Sequence, residues 1–113
     1  MSKRVKKFKE EREKLNGLIL SRDNVNIKRF FGIDNAVYRD GALEARTKEM
    51  LGLVASLVLR CDDCITYHLV QAKQVNISDE EFDEIMVVGL VVGGSITIPH
   101  IRRAYDIWED LKE

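Results

Sequence analysis

Both cysteines of the chain fall within Arg60-Cys61-Asp62-Asp63-Cys64-Ile65-Thr66-Tyr67-His68, and one of its two histidines closes that stretch. On a helix, residues three, four and seven apart share a face, so Cys61, Cys64 and His68 line one stripe. At about 100° per residue, Cys61 and His68 fall within about 20° of each other around the axis. Two thiols and an imidazole on one stripe suit dithiol–disulfide chemistry or metal binding. A helix start favours an anion, which lowers a thiol pKa and makes thiolate available near neutral pH. The second thiol, one turn away, can condense with an oxidised first thiol to close a disulfide. His68 can take or give the proton. Asp62 and Asp63 act in the opposite sense, because neighbouring carboxylates disfavour a thiolate.

Zinc is the alternative chemistry. A structural zinc site wants four ligands, and Cys61, Cys64 and His68 supply three, with His100 as the candidate fourth. The helix-start spacing is unlike that of a zinc ribbon or finger, so no metal is expected. Inert buried cysteines beside a satisfied core histidine remain the plain structural reading. Gly93-Gly94-Ser95 lacks the lysine and the strand–helix context of a phosphate loop, and no organic cofactor is expected. Glu49 lies twelve residues before Cys61. A tight connection would fold its helix back beside the cysteines, where the carboxylate could hold His68 or relay its proton. The same residue also reads as one more surface glutamate in a charged half-helix.

The elements that must position this stripe are helical. The chain of 113 residues, 45% hydrophobic with a single proline, is read as one domain spanning 1–113. Its formal net charge of −1 gives no global pull toward nucleic acid or an anionic membrane. The apolar runs 50–59 and 85–92 fall short of the roughly 20 residues of a membrane helix. The charged start offers no signal-peptide core, so the cytoplasm is the expected compartment.

A charged, interrupted stripe over 2–20 predicts a helix packed along its second half and free at its start. Asn24 to Phe31 predicts a short turn or helix ended by Gly32, with Phe30, Phe31 and Tyr38 as core or subunit-contact residues. Leu43 to Leu59 is a strong helix whose second half, lacking charge, is expected to be buried nearly all round. Asp62 to Gln74 follows, and Ser78-Asp79-Glu80-Glu81 is a capping box opening a helix to about Val92. Pro99 opens the last helix, which runs to Leu111. No strand-like alternation of useful length occurs. The prediction is an all-α bundle of five to six helices.

Glu49, Cys61, Cys64 and His68, set within KEMLGLVASLVLRCDDCITYHLVQAKQ, resemble the AhpD-like family, which groups alkylhydroperoxidase D with the carboxymuconolactone decarboxylases. The similarity continues through the Ser78 capping-box helix and VVGGSITIPHIRRA, covering roughly 43–111. The resemblance implies a helical fold assembling as a homo-oligomer, trimer or hexamer, and thiol-dependent reduction of a small hydroperoxide. It implies Cys64 as the thiol that attacks peroxide, Cys61 as the resolving thiol, and His68 with Glu49 as the proton relay. It also implies a lipoyl or thioredoxin-like reductant. Asp63 is a departure, because the alkylhydroperoxidase branch often has histidine between the cysteines. The decarboxylase branch typically lacks the cysteine pair. His100 has no counterpart in the relay and is assigned to a subunit contact.

Two other classes stay open. A lyase acting on a lactone acid would use His68 and Glu49 as acid and base with the cysteines as bystanders. A non-catalytic oligomeric module would use the cysteines only for packing. Subunit contacts are also expected from the apolar half-helices at 51–59 and 85–92, which a small bundle cannot bury alone.

Overall fold

A computed structural model describes residues 2–112. Six α-helices follow one another: α1 (Lys3–Leu20), α2 (Val25–Val37), α3 (Ala45–Val58), α4 (Asp62–Gln74), α5 (Asp79–Gly93) and α6 (Ile98–Asp110), with a 3-10 turn at Ser95–Thr97 before the last. The all-α expectation holds. Among the described residues, no helix is long and apolar enough to cross a membrane.

Helix starts follow local chemistry. Ser2 accepts from the Val5 N–H, and Asn24 accepts from the Asn26 and Ile27 N–H groups. The capping box at Ser78 is complete in both directions, with Glu81 returning to the Ser78 backbone. Glu44 makes no side-chain cap for α3. Instead the Ala45 N–H donates to Asp40 Oδ1 at 2.7 Å.

α3 is the central element, packing on both α4 and α5, while α6 covers α4. Leu53 and Leu57 of α3, Leu69 of α4, and Phe82 and Trp108 from α5 and α6 are fully withdrawn from water. Phe82 stacks on Trp108 at 4.7 Å between centroids, and the indole N–H donates to Asp79 Oδ1 at 2.8 Å. The helices come close at Gly89, where a Cβ would stand 2.4 Å from Leu57 Cδ2.

Three expectations need correction. The first concerns α2, which runs through Gly32 to Val37 and does not stop there. Gly32 faces open space, so it only weakens the helix intrinsically, by about 1 kcal/mol. The second concerns α1, which is anchored at its start. Val5 is buried there, and Arg4 donates to Asp106 and Asp110 of α6, while Leu15, Leu18 and Ile19 are exposed. The third concerns the uncharged half of α3. Leu53 and Leu57 face the core, but Leu51 and Leu59 face outward, so the segment is one-sided in the single chain. Phe30 is likewise exposed and Phe31 half-buried, so neither belongs to the core of this chain.

Candidate functional site

The connection from α3 to α4 brings the site together. Only Leu59, Arg60 and Cys61 lie between the two helices, with Arg60 in the left-handed region at φ 59°. The Arg60 N–H donates to the Leu57 carbonyl and the Cys61 N–H to the Ser56 carbonyl. This tight reversal sends α4 back along α3. Glu49 lies about 13 Å back from the end of α3 and His68 about 9 Å into α4, at 1.5 Å rise per residue. They therefore meet across the helix interface.

His68 Nδ1 and Glu49 Oε1 are 2.8 Å apart, and both side chains are more than nine-tenths buried. Of the two readings for Glu49, surface residue or partner of His68, the geometry fits the partner. A carboxylate only accepts, so Nδ1 carries the proton toward Glu49 and Nε2 is the ring nitrogen left to face Tyr38. The Tyr38 hydroxyl stands 3.4 Å from Nε2 and completes a chain of three groups. Burial raises the Tyr38 pKa above its ordinary value, and the carboxylates of Glu49 and Asp34 push the same way. The phenol is therefore a donor at neutral pH.

Sequence reasoning assigned Tyr38 to packing and missed this role. Its placement depends on the α2–α3 link, where the Lys48 ammonium donates to the Val37 and Arg39 carbonyls at 2.8 and 2.7 Å. Gly52 was missed too. It lies one turn after Glu49, and a Cβ there would stand 2.7 Å from His68 Cε1 and 2.9 Å from the Tyr38 hydroxyl. The imidazole occupies space that only glycine leaves free.

Cys61 and Cys64 are joined as a disulfide, with Cα atoms 5.2 Å apart. Cys61 is the N-cap of α4, its Sγ accepting the Cys64 N–H at 3.3 Å. Cys64 is exposed and Cys61 half-buried. An open cleft of about 410 Å³ is lined by Cys64, His68, Asp63 and Tyr67 of α4, Asp34 of α2, and one face of α1 including Phe8 and Arg12. Arg12 lies over the Tyr67 ring at 4.1 Å. Burial raises the Tyr67 pKa, Arg12 opposes the rise, and Glu49 and Asp34 add to it. Cys64 and His68 thus line one opening.

His100 pairs with the start of α4. Its Nδ1 lies 2.7 Å from Asp62 Oδ1, and Arg103 donates to Asp62 Oδ2 at 2.9 Å. Among the described residues, no group of three or more His, Cys, Asp or Glu side chains is arranged to hold a metal ion.

Known proteins resemble the chain over most of its length. Residues 27–106 match the model of the carboxymuconolactone decarboxylase family. A crystal structure of a Thermotoga maritima protein superposes with a TM-score of 0.92 at 59% identity, covering 95% of this chain and 94% of that one. A second structure of that protein, at 57% identity, TM-score 0.90 and coverage of 94% and 90%, is described as a carboxymuconolactone decarboxylase family protein with a possible part in an antioxidative response. A family member from Legionella pneumophila shares the fold at 19% identity, with a TM-score of 0.89 and coverage of 99% and 100%. An uncharacterized protein of Cupriavidus necator is 31% identical over 65 residues, which span 58% of each chain.

Proposed function

The chain belongs to the carboxymuconolactone decarboxylase family, and from that premise we propose that it is a dithiol peroxidase acting on a small organic hydroperoxide. One observation carries the reading. Exposed Cys64 and His68, whose Nδ1 is held by buried Glu49, line the same cleft, with Cys61 bonded to Cys64 one turn behind. The antioxidative role suggested for the Thermotoga maritima relative points the same way.

In the reduced protein, His68 Nε2 gives up its 3.4 Å contact to the Tyr38 hydroxyl and takes the Cys64 proton, while Glu49 holds Nδ1–H and stabilises the resulting imidazolium. The thiolate attacks one peroxide oxygen, the O–O bond breaks, and the alkoxide takes the proton from His68 to leave as alcohol. Cys64 becomes a sulfenic acid. Cys61 releases its proton to solvent, and its thiolate attacks that sulfur and expels hydroxide, which takes a proton back from solvent and leaves as water, forming the disulfide present in this structure. A dithiol reductant of lipoyl or thioredoxin-like type restores both thiols by exchange and is itself oxidised to a disulfide.

The same reading includes self-association in the cytoplasm as a trimer or hexamer. Exposed Phe30 and Ile33 on α2 and Val91 and Val92 on α5 support it, because monomers rarely leave so much apolar surface in water.

The test is peroxide consumption with dihydrolipoamide as donor, together with a thiol count. Wild type should turn over and lose both thiols on mild oxidation, and Cys64→Ser should abolish turnover. Undiminished consumption in that variant would overturn the reading. The buried Glu49–His68 pair also favours a second reading, acid–base lyase chemistry on a lactone acid. Lactone turnover surviving loss of both cysteines but not His68→Ala would select it.

A further inference from the structure

The two aspartates after Cys61 place negative charge where thiolate must form, yet the structure treats them differently. Asp63 lines the open cleft. Asp62 is drawn to α6, with Oδ1 2.7 Å from His100 Nδ1 and Oδ2 2.9 Å from Arg103 Nη1. His100 donates through Nδ1, because the carboxylate can only accept. Arg103 approaches the same ring nitrogen at 3.5 Å. Both are donors, so that approach adds no bond, and Asp62 is what holds the two together. Arg103 is a permanent cation, so the charge of Asp62 is compensated whatever the protonation of His100.

This rests on the dithiol being the reactive centre. We infer that Arg103 and His100 are positioning residues that tie down and neutralise Asp62, thereby keeping Cys61 available as the resolving thiolate. Three features combine at this turn. In the disulfide, Cys61 Sγ accepts the Cys64 N–H at 3.3 Å, and the same bond in the reduced protein favours the anionic form. Asp62 is the adjacent residue in the first turn, so its free carboxylate would oppose that gain directly. The hydrogen bonds of the α6 pair reach Asp62 at the start of α4, and neither residue lines the cleft.

The other charged groups near this turn are Asp63 on the same helix, Arg60 in the connection, Arg102 beside the pair on α6, and His68 with Glu49 from the α3 side. None of them replaces Arg103 on Asp62. The ion pair is half-exposed, so salt screens it and the effect is modest. An uncompensated unit charge near the sulfur at high effective dielectric changes the thiolate fraction roughly three- to tenfold.

The experiment isolates Cys61 in reduced protein carrying Cys64→Ser and follows its alkylation by iodoacetamide against pH. It needs no peroxide, so failure of peroxide turnover and failure of this inference are separate results. Arg103→Ala should shift the alkylation profile to higher pH, with roughly three- to tenfold less thiolate at neutral pH and a smaller shift in high salt. Asp62→Asn should shift it the other way. Adding Asp62→Asn to Arg103→Ala should cancel the loss, and Arg103→Lys should retain most of the wild-type profile. An unmoved profile in Arg103→Ala overturns the inference. So does a profile in the double variant that stays as high as in Arg103→Ala alone, since the effect would then not pass through Asp62. If Arg103→Ala fails to fold, Asp62→Asn and Arg103→Lys decide alone: a shift to lower pH in the first with retention in the second supports the inference, and an unmoved or raised profile in Asp62→Asn overturns it.

Discussion

Gly52→Ala probes the positioning of the relay without replacing any reactive group. A Cβ at this position would stand 2.7 Å from Cε1 and 2.9 Å from Nε2 of His68, and 2.9 Å from the Tyr38 hydroxyl. Carbon–carbon contacts are comfortable at about 3.5 Å, so the ring must yield by roughly 0.6 to 0.8 Å. It has little room to do so. His68 is 7% exposed, Nδ1 is tied to Glu49 at 2.8 Å, and Tyr38 flanks the other side. Overpacking of this kind costs about 1 to 3 kcal/mol, which corresponds to a Tm lowered by roughly 4 to 12 °C in a domain of this size. A displacement near 1 Å in a proton-transfer group can cost up to about a hundredfold in rate. Turnover of cumene hydroperoxide, measured well below the variant's midpoint, separates the two effects. The expected result is folded protein with peroxide turnover reduced by roughly ten- to a hundredfold and the number of oxidisable thiols unchanged. Wild-type turnover at an unchanged Tm would refute the reasoning, because the imidazole would not depend on the space Gly52 leaves.

Other expectations concern charge. The Glu81 carboxyl is held down to about 2, first by the Arg46 guanidinium and then by the Ser78 N–H. Its folded pKa lies below the unfolded value of about 4.3, so this contribution is present above that value and fades as pH falls toward about 2. Thermal midpoints measured across that window should fall for wild type and fall less for Arg46→Ala; equal slopes would contradict the assignment. At the cleft, Glu11, Asp34 and Asp63 face a single Arg12. In reduced Cys61→Ser protein, neutral iodoacetamide should therefore alkylate Cys64 faster, relative to the free thiol, than anionic iodoacetate does. Asp63→Asn should narrow the ratio about threefold. A ratio that ignores the substitution would show that Asp63 exerts no field at the sulfur.

Local spacing made part of this molecule legible. Cys64 and His68 on one cleft and the box at Ser78 depend on residues within two turns of each other, while Cys61 stands just outside α4 as its N-cap. Glu49 was ambiguous because only the crossing of α3 and α4 distinguishes a buried carboxylate from a surface one. Tyr38 and the Asp62–His100–Arg103 cluster join residues 30 to 41 positions apart, beyond any periodicity. The anchoring of α1 was misread for the same reason. Leu15, Leu18 and Ile19 look like a buried stripe, whereas the partners that fix the helix, Asp106 and Asp110, lie at the other end of the chain. Gly32 looked like a stop because a glycine's intrinsic cost is visible in sequence, while the Asn24 cap and the Lys48 contacts that support α2 are tertiary.

The division of labour between the sulfurs is the central claim, and trapping the oxidised intermediate tests it most directly. Reduced Cys61→Ser protein, treated with one equivalent of hydroperoxide in the presence of a sulfenic-acid trap and digested for mass spectrometry, should carry the adduct on Cys64. The reciprocal Cys64→Ser protein should carry little. An adduct confined to Cys61 in the Cys64→Ser protein, with none on Cys64, would contradict the account.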